Sequence, residues 1–397
     1  MHLCQHLVNS CEIGSTLVFW ANEMSETNGV CLLGCLSQID DPRKPSNGTL
    51  HDFQEILVIA IAAMLSDCDT VEDIAYWASM KEAWLRRFLV LKNGVPSEET
   101  FLRIFRALDP KQFERAFRRW VAGVVGALSG TIAVDGKTVR GSGASGETAI
   151  HMVSAFATEL GIVLGQEKVA GKSNEITAIP ELLDALYLKG FLVSIDAMGC
   201  QKRIAQKITT KGGDYLLMVK GNQPSLLNAI ETTFISHHDA EGVDRQGHAE
   251  KSHGRIVGQV ASVLPAKDTV DLADWPKCKT IGRIDSIRVV GGKESDLERR
   301  YYISSRNLSA DQLATAVRAH WGIENRLHWV LDVSFGEDGK TVCKDNAPQN
   351  LSLLRKIVLN LIRLDKTDTT KASLRRKRKG AAWDDDMRMN MLGFTPL

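Results

Sequence analysis

The sequence has no lysine or arginine before Arg43, and its longest apolar run is only Ile56 to Leu65. The first absence removes the basic start of a secretory leader, and the second leaves about half the length a bilayer-spanning helix needs. Net charge is missing too. Lysine and arginine total 49 against 48 acidic side chains, so any affinity for nucleic acid must come from local clustering. Repeated C-x-x-C spacing is also lacking: cysteines 4, 11, 31, 35, 68, 200, 278 and 343 are scattered, as reduced thiols in a cytosolic protein are. His2, Cys4, His6 and Cys11 fit no standard zinc spacing. These features describe a soluble, cytoplasmic protein without a membrane segment.

What is present is length and pattern. With 397 residues and 44% hydrophobic content, the chain can build two or three cored domains. Residues 1–39 show no clear period and read as an extension. Residues 40–128 read as helical: Leu50–Leu65, Thr70–Ala78 behind a threonine cap, a helix opened by Ser97-Glu-Glu-Thr100, and another over Lys111–Val125. Charge splits this block. Residues 41–82 hold three basic and eight acidic side chains, and residues 83–119 hold nine and four. The basic half, with Arg103, Arg106, Arg115, Arg118 and Arg119, suits a small DNA-contacting module of helix-turn-helix type or an ordinary solvated face.

After Ser129-Gly130 the period switches to alternating strands and helices. Strands are expected at Thr131–Val139, twice within Ile150–Leu164, at Phe191–Asp196 and at Tyr215–Val219, with helices at Ile176–Tyr187 and Gln201–Thr209. That order describes an α/β fold with a mixed sheet. Residues 225–305 read as a β-rich insertion. A long helix capped by Ser309-Ala-Asp-Gln312 follows, then one near Asn350–Leu364 and a basic tail over 366–397, in which Lys371 to Lys379 offers a DNA-backbone contact.

Three acids stand out against this layout. Asp135 and Asp196 close strands one and four, so parallel pairing would bring both to one sheet edge, where open α/β sheets bind ligands. Glu324 lies on the long helix, with His320 and His328 at i−4 and i+4 on its face and Trp321 and Trp329 beside it. Three such carboxylates could hold Mg²⁺, with Mn²⁺ as a substitute, for phosphoryl transfer at two metals roughly 4 Å apart. Asp332, Glu337 and Asp338 are nearby substitutes for Glu324. Lys220-Gly-Asn-Gln-Pro224 leaves a strand with a cation and two amides, in the chemistry of a phosphate contact or of a plain turn. Gly141-Ser-Gly-Ala-Ser-Gly146 spells G-x-G-x-x-G, but a strand-like segment follows it, so no nucleotide cofactor is expected.

These motifs together resemble the DDE transposases of insertion sequences, of the H-repeat-associated type with a transposase-associated N-terminal domain. The landmarks are Trp84-Leu-Arg-Arg-Phe88, Pro96-Ser-Glu-Glu-Thr-Phe101, Ala133-Val-Asp-Gly-Lys137, Lys172-Ser-Asn-Glu175, Ile195-Asp-Ala-Met-Gly-Cys-Gln201, Lys220-Gly-Asn-Gln-Pro224, His320-Trp-Gly-Ile-Glu-Asn325 and Leu327-His-Trp-Val-Leu-Asp-Val333. The resemblance implies a ribonuclease-H-like catalytic domain over 129–224 and 306–365, and Mg²⁺-dependent cutting and joining of DNA by Asp135, Asp196 and Glu324. It further implies a homodimer on double-stranded transposon-end and target DNA, in a bacterial nucleoid. Lys137, Arg140, Lys220, Asn222, Gln223, Arg318, His320, Trp321, Asn325, Arg326 and His328 are the residues expected to position the strands. A decayed DNA-binding relative and a stand-alone nuclease of the same fold are the alternatives. Two departures stand: Val257 follows His253-Gly-Arg-Ile256 where glutamate is expected. Val317, His320 and Leu331 occupy the positions of a Tyr-x2-Arg-x3-Glu-x6-Lys signature.

Overall fold

A computed structural model describes residues 31–393, apart from 47, 126–128, 147, 171–174, 238–242, 253–254, 270–271, 273 and 369. The extension before residue 31, with its His2, Cys4, His6 and Cys11, lies outside the described residues, as do Lys172–Asn174 and His253-Gly254. Helices α1 (Leu32–Leu36), α2 (Phe53–Leu65), α3 (Val71–Met80), α4 (Glu82–Leu85), α5 (Glu98–Ala107) and α6 (Pro110–Val125) open the chain. Strands β1 (Gly130–Val139), β2 (Ile150–Ala157) and β3 (Ile162–Lys168) follow, then α7 (Glu175–Asp184), β4 (Phe191–Ile195), α8 (Lys202–Thr210), β5 (Asp214–Val219) and α9 (Pro224–Ser236). Next come β6 (Asp244–Ser252), β7 (Arg255–Pro265), β8 (Thr280–Val290), β9 (Lys293–Glu294) and β10 (Glu298–Ser304). The chain closes with α10 (Ala310–Ile323), a π-helical turn (Glu324–His328), α11 (Trp329–Ser334), α12 (Ala347–Leu364), α13 (Leu374–Trp383) and α14 (Asp385–Leu392).

Two compact units divide the chain. One comprises Met1–Gly126, Val139–Ala149 and Leu331–Leu397, the other Ala127–Thr138 and Ile150–Val330. In the first, α12 packs on α2, α5 and α6, and α13 and α14 pack on α2 and α12. Helix α12, expected with the catalytic domain, therefore shares a core with the N-terminal helices. Thr70 caps α3 in a reciprocal capping box. Ser97 stands at the cap position of α5, yet its hydroxyl pairs with that of Thr100 instead of a backbone N–H. Within the basic stretch Lys371, Arg375 and Arg376 are exposed, but one arginine turns inward. Arg378 and Arg388 on α13 and α14 are fully buried, Arg378 against Asp67 (3.1 Å) and Asp69 (2.5 Å) and over the Phe335 ring. Gly141–Gly146 belongs to a 3₁₀ turn, and the next regular element is strand β2.

The second unit is built on one mixed sheet in the order β3-β2-β1-β4-β5-β10-β8-β7-β6, with β9 against β8. β1 and β4, and β4 and β5, run parallel, while β10 returns antiparallel to β5. The β-rich segment thus continues the same sheet rather than forming a separate one, and α9 within it is a helix that its expected β character did not include. Helix α10 carries a true Ser309–Gln312 capping box. Its Ala310, Leu313, Ala316 and Val317 pack on Leu192, Leu216, Met218, Ala261, Ile284 and Tyr302 of the sheet. Gly282 permits that approach: a Cβ there would lie 2.5 Å from Leu313 Cδ2. The sheet floor and this helix place the acids. Among the described residues no helix is long and apolar enough to cross a membrane.

Candidate active site

Register brings the first two acids together. Val134 of β1 lies opposite Ile195 of β4, so the next residues, Asp135 and Asp196, leave neighbouring parallel strands side by side. Such strands are ~4.8 Å apart. β1 continues past Asp135 to Val139, so the acid marks where β1 parts from β4 and not the strand's end. Burial, then the Asp196 charge, push the Asp135 carboxyl up to about 7, with Glu175 and Glu324 adding to the rise against the Gly136 N–H. Asp196 is raised as well, by burial first and by Glu175. The N–H groups of Gly199 (3.3 Å) and Met198 (3.1 Å) donate to its Oδ1 and, with Lys220, oppose the rise. An anionic site that resists its own ionisation is one a cation would relieve.

The third acid arrives from the sheet-bound helix. Glu324 starts the π-helical turn that follows α10, a local widening frequent at functional sites. Its side chain is exposed, and Oε2 accepts from His328 Nδ1 at 3.0 Å. The same nitrogen is 3.6 Å from Asp135 Oδ2. One ligand atom each from Asp135, Glu324 and His328 lies within 4.8 Å of the other two. Asp196, beside Asp135, falls outside that tight group. The oxygen-rich donor set fits a hard divalent cation, and His328 holds the otherwise free Glu324 carboxylate over the sheet.

The expected strand-positioning residues divide. His320 is buried, hydrogen-bonds the Ser194 backbone, and burial pushes its pKa down to about 4. A neutral imidazole inside the fold brings no positive charge to the site. Asn222 donates to Ala197 O (2.7 Å) and Gln223 to Cys200 O (2.9 Å), pinning the turn behind Asp196. Arg326 donates to Thr158 O (2.5 Å) and lies over the Phe156 ring, which anchors the π turn to β2. Lys220, Arg318, Trp321 and Asn325 remain exposed and Lys137 is half-buried, with Arg300 stacked on Trp321 at 5.3 Å. Arg140 belongs to the helical unit and faces Asp338 at 3.7 Å. Glu337 is buried against Arg355 in that unit, so neither it nor Asp338 is free to replace Glu324.

Sequence reasoning missed Glu175 and His151. Glu175 opens α7 and contributes to the electrostatics of both aspartates. Its Oε1 accepts from His151 Nε2 at 2.7 Å. The only sequence signal was Lys172-Ser-Asn-Glu175, noted as a landmark without a role. His151 lies in a strand whose neighbours are apolar, where nothing local distinguishes a histidine.

With this geometry in place, comparison with known proteins is decisive. The family model for the transposase DDE domain matches residues 127–361, and the DDE_Tnp_1-associated model matches 33–121. The chain belongs to the DDE transposase family. Relatives extend nearly end to end. YncI of Escherichia coli O157:H7 is 40% identical over 88% of this chain and 91% of its own length. YhhI of Escherichia coli K12, named as H repeat-associated, is 38% identical over 87% and 94%. Both carry "transposase" in their names. A cryo-EM structure of the piggyBac transposase synaptic complex with hairpin DNA aligns at TM-score 0.41 and 10% identity, over 96% of this chain and 79% of that one. At that distance no residue of this DDE transposase takes a role from it.

Proposed function

We propose that this DDE transposase cuts DNA at transposon ends and joins the freed ends to target DNA, with Asp135, Asp196 and Glu324 as its catalytic carboxylates. One observation carries the reading: Asp135, where β1 parts from β4, lies within electrostatic reach of Asp196 and Glu324, and burial with those charges pushes its carboxyl up to about 7. Asp135, Asp196 and Glu324 would hold a divalent cation, Mg²⁺ or Mn²⁺, which would neutralise charge developing on the phosphate and activate the attacking oxygen. The protein residues do the rest. His328 fixes the rotamer of Glu324, and Met198 and Gly199 N–H groups fix that of Asp196. Lys220, the cation beside Asp196, faces the place a scissile phosphate would take, and Lys137, Arg318, Trp321 and Asn325 are placed to hold the flanking strand. Arg140, in the helical unit, is a further backbone contact. A second copy of the chain on the paired ends completes the assembly.

The test compares wild type with Asp196→Asn on cognate end DNA. Wild type should bind and cut only with Mg²⁺ or Mn²⁺, and the variant should bind equally but lose at least about 10³-fold in cutting, the scale of removing one key catalytic group. Equal binding with no cutting by either protein would instead indicate a decayed DNA-binding relative. Cutting without strand transfer would indicate a nuclease.

A further inference from the structure

Beneath the aspartate pair runs a hydrogen-bond chain that the proposed reaction does not use. Thr138 Oγ1 lies 2.9 Å from His151 Nδ1, and His151 Nε2 lies 2.7 Å from Glu175 Oε1. A carboxylate can only accept, so Nε2 carries the proton, and Nδ1 then accepts from the threonine hydroxyl. The chain links β1, β2 and the first turn of α7, all within the sheet unit. It closes over Gly136, the residue that follows Asp135. A Cβ at Gly136 would meet Glu175 Oε1 at 2.2 Å and His151 Nε2 at 2.4 Å. The glycine therefore lets the pair seat directly on the backbone that presents the Asp135 carboxylate. β1 is held by β4 only as far as Val134; from Asp135 onward this chain ties it, on its other side, to β2 and to α7.

We propose that Glu175 and His151 are positioning residues: through Thr138 and the cover over Gly136 they set the orientation of the Asp135 carboxylate toward the cation. This rests on the metal-dependent reading of the site. Neither residue touches the reacting atoms in this role, and the essential property of Glu175 is its acceptor oxygen rather than its charge. Glutamine keeps that oxygen; alanine does not.

The deciding experiment measures Mn²⁺ affinity of the full-length protein without DNA, alongside cutting of end DNA and metal-free melting temperature. Glu175→Ala and His151→Ala should each weaken Mn²⁺ binding and slow cutting at least about 10-fold, the usual scale for residues that orient ligands, with little change in melting. Glu175→Gln should stay within about 3-fold of wild type on the same scale. Gly136→Ala should behave like His151→Ala, because its methyl displaces the pair. His151→Ala at wild-type Mn²⁺ affinity would overturn the proposal, as would Glu175→Gln as impaired as Glu175→Ala, which would make Glu175 a direct ligand. Because Mn²⁺ affinity is read without DNA, these outcomes stand whether or not wild type cuts, and failure of the transposase reading shows separately as an uncut substrate.

Discussion

Asp135 and His320 pull the pH dependence of stability in opposite directions. Asp135 is raised from 3.8 to about 7 in the fold, so its contribution is present below 3.8 and is lost as pH rises through about 7. His320 is lowered from 6.5 to about 4, so its contribution is present above 6.5 and is lost as pH falls toward 4. The metal-free protein should show a shallow profile across that window because the two partly cancel. Asp135→Asn should raise metal-free stability near pH 8 by ~1–2 kcal/mol and expose the acid-side loss due to His320, as read by urea unfolding at several pH values. An unchanged profile would mean that Asp135 is not strained by its neighbours. A cation competes with the proton for the same oxygens, so Mg²⁺ should raise the wild-type melting temperature more above about pH 7 than below it, and should do little for Asp135→Asn. The acids were legible in sequence because each directly follows an apolar run or sits in a His-Trp-Arg frame. The burial of His320 was not legible, because i−4 spacing from Glu324 does not say how deep that position lies.

Elements carry those residues to their places, and here helix α10 is critical. Its Leu313 packs over Gly282, where a Cβ would come within 2.5 Å of Cδ2. Gly282→Val should lift the helix start, cost about 1–3 kcal/mol by overpacking, and reduce cutting more than end-DNA binding, because it moves the segment that leads to Glu324. Equal loss of both would assign Gly282 to stability alone. Most elements were legible from period: β4 and β5 are short, mostly apolar runs, and α3 and α10 announce themselves by their caps. Strand β6 was not. Asp244–Ser252 has almost no apolar residue and lies exposed at the sheet edge, so only its pairing with β7 makes it a strand. α9 was hidden because it follows a turn-rich motif and its Pro224 start reads as part of that turn.

At the scale of the whole molecule, the least legible feature is the use of the C-terminal basic run. Composition marked it as a surface for DNA, yet Arg378 reaches Asp69, 309 residues away in sequence, and is fully buried there. Removing that guanidinium empties a buried site and leaves the half-buried Asp69 carboxylate without its partner. Arg378→Ala should therefore destabilise the helical unit by about 3–5 kcal/mol, against no more than about 0.5 kcal/mol for the exposed Arg375→Ala, measured by denaturant unfolding. Similar small effects from both would place Arg378 at the surface beside Arg375. Distance in sequence is also why the domain limits blurred: α12 reads as a continuation of the catalytic segment but buries its apolar face among the N-terminal helices. The central claim is that acids brought from 135, 196 and 324 form one cation centre. Anomalous diffraction from crystals soaked in Mn²⁺ tests it most directly: density is expected among Asp135, Asp196 and Glu324, lost in Asp196→Asn, and density elsewhere or none at these carboxylates would contradict it.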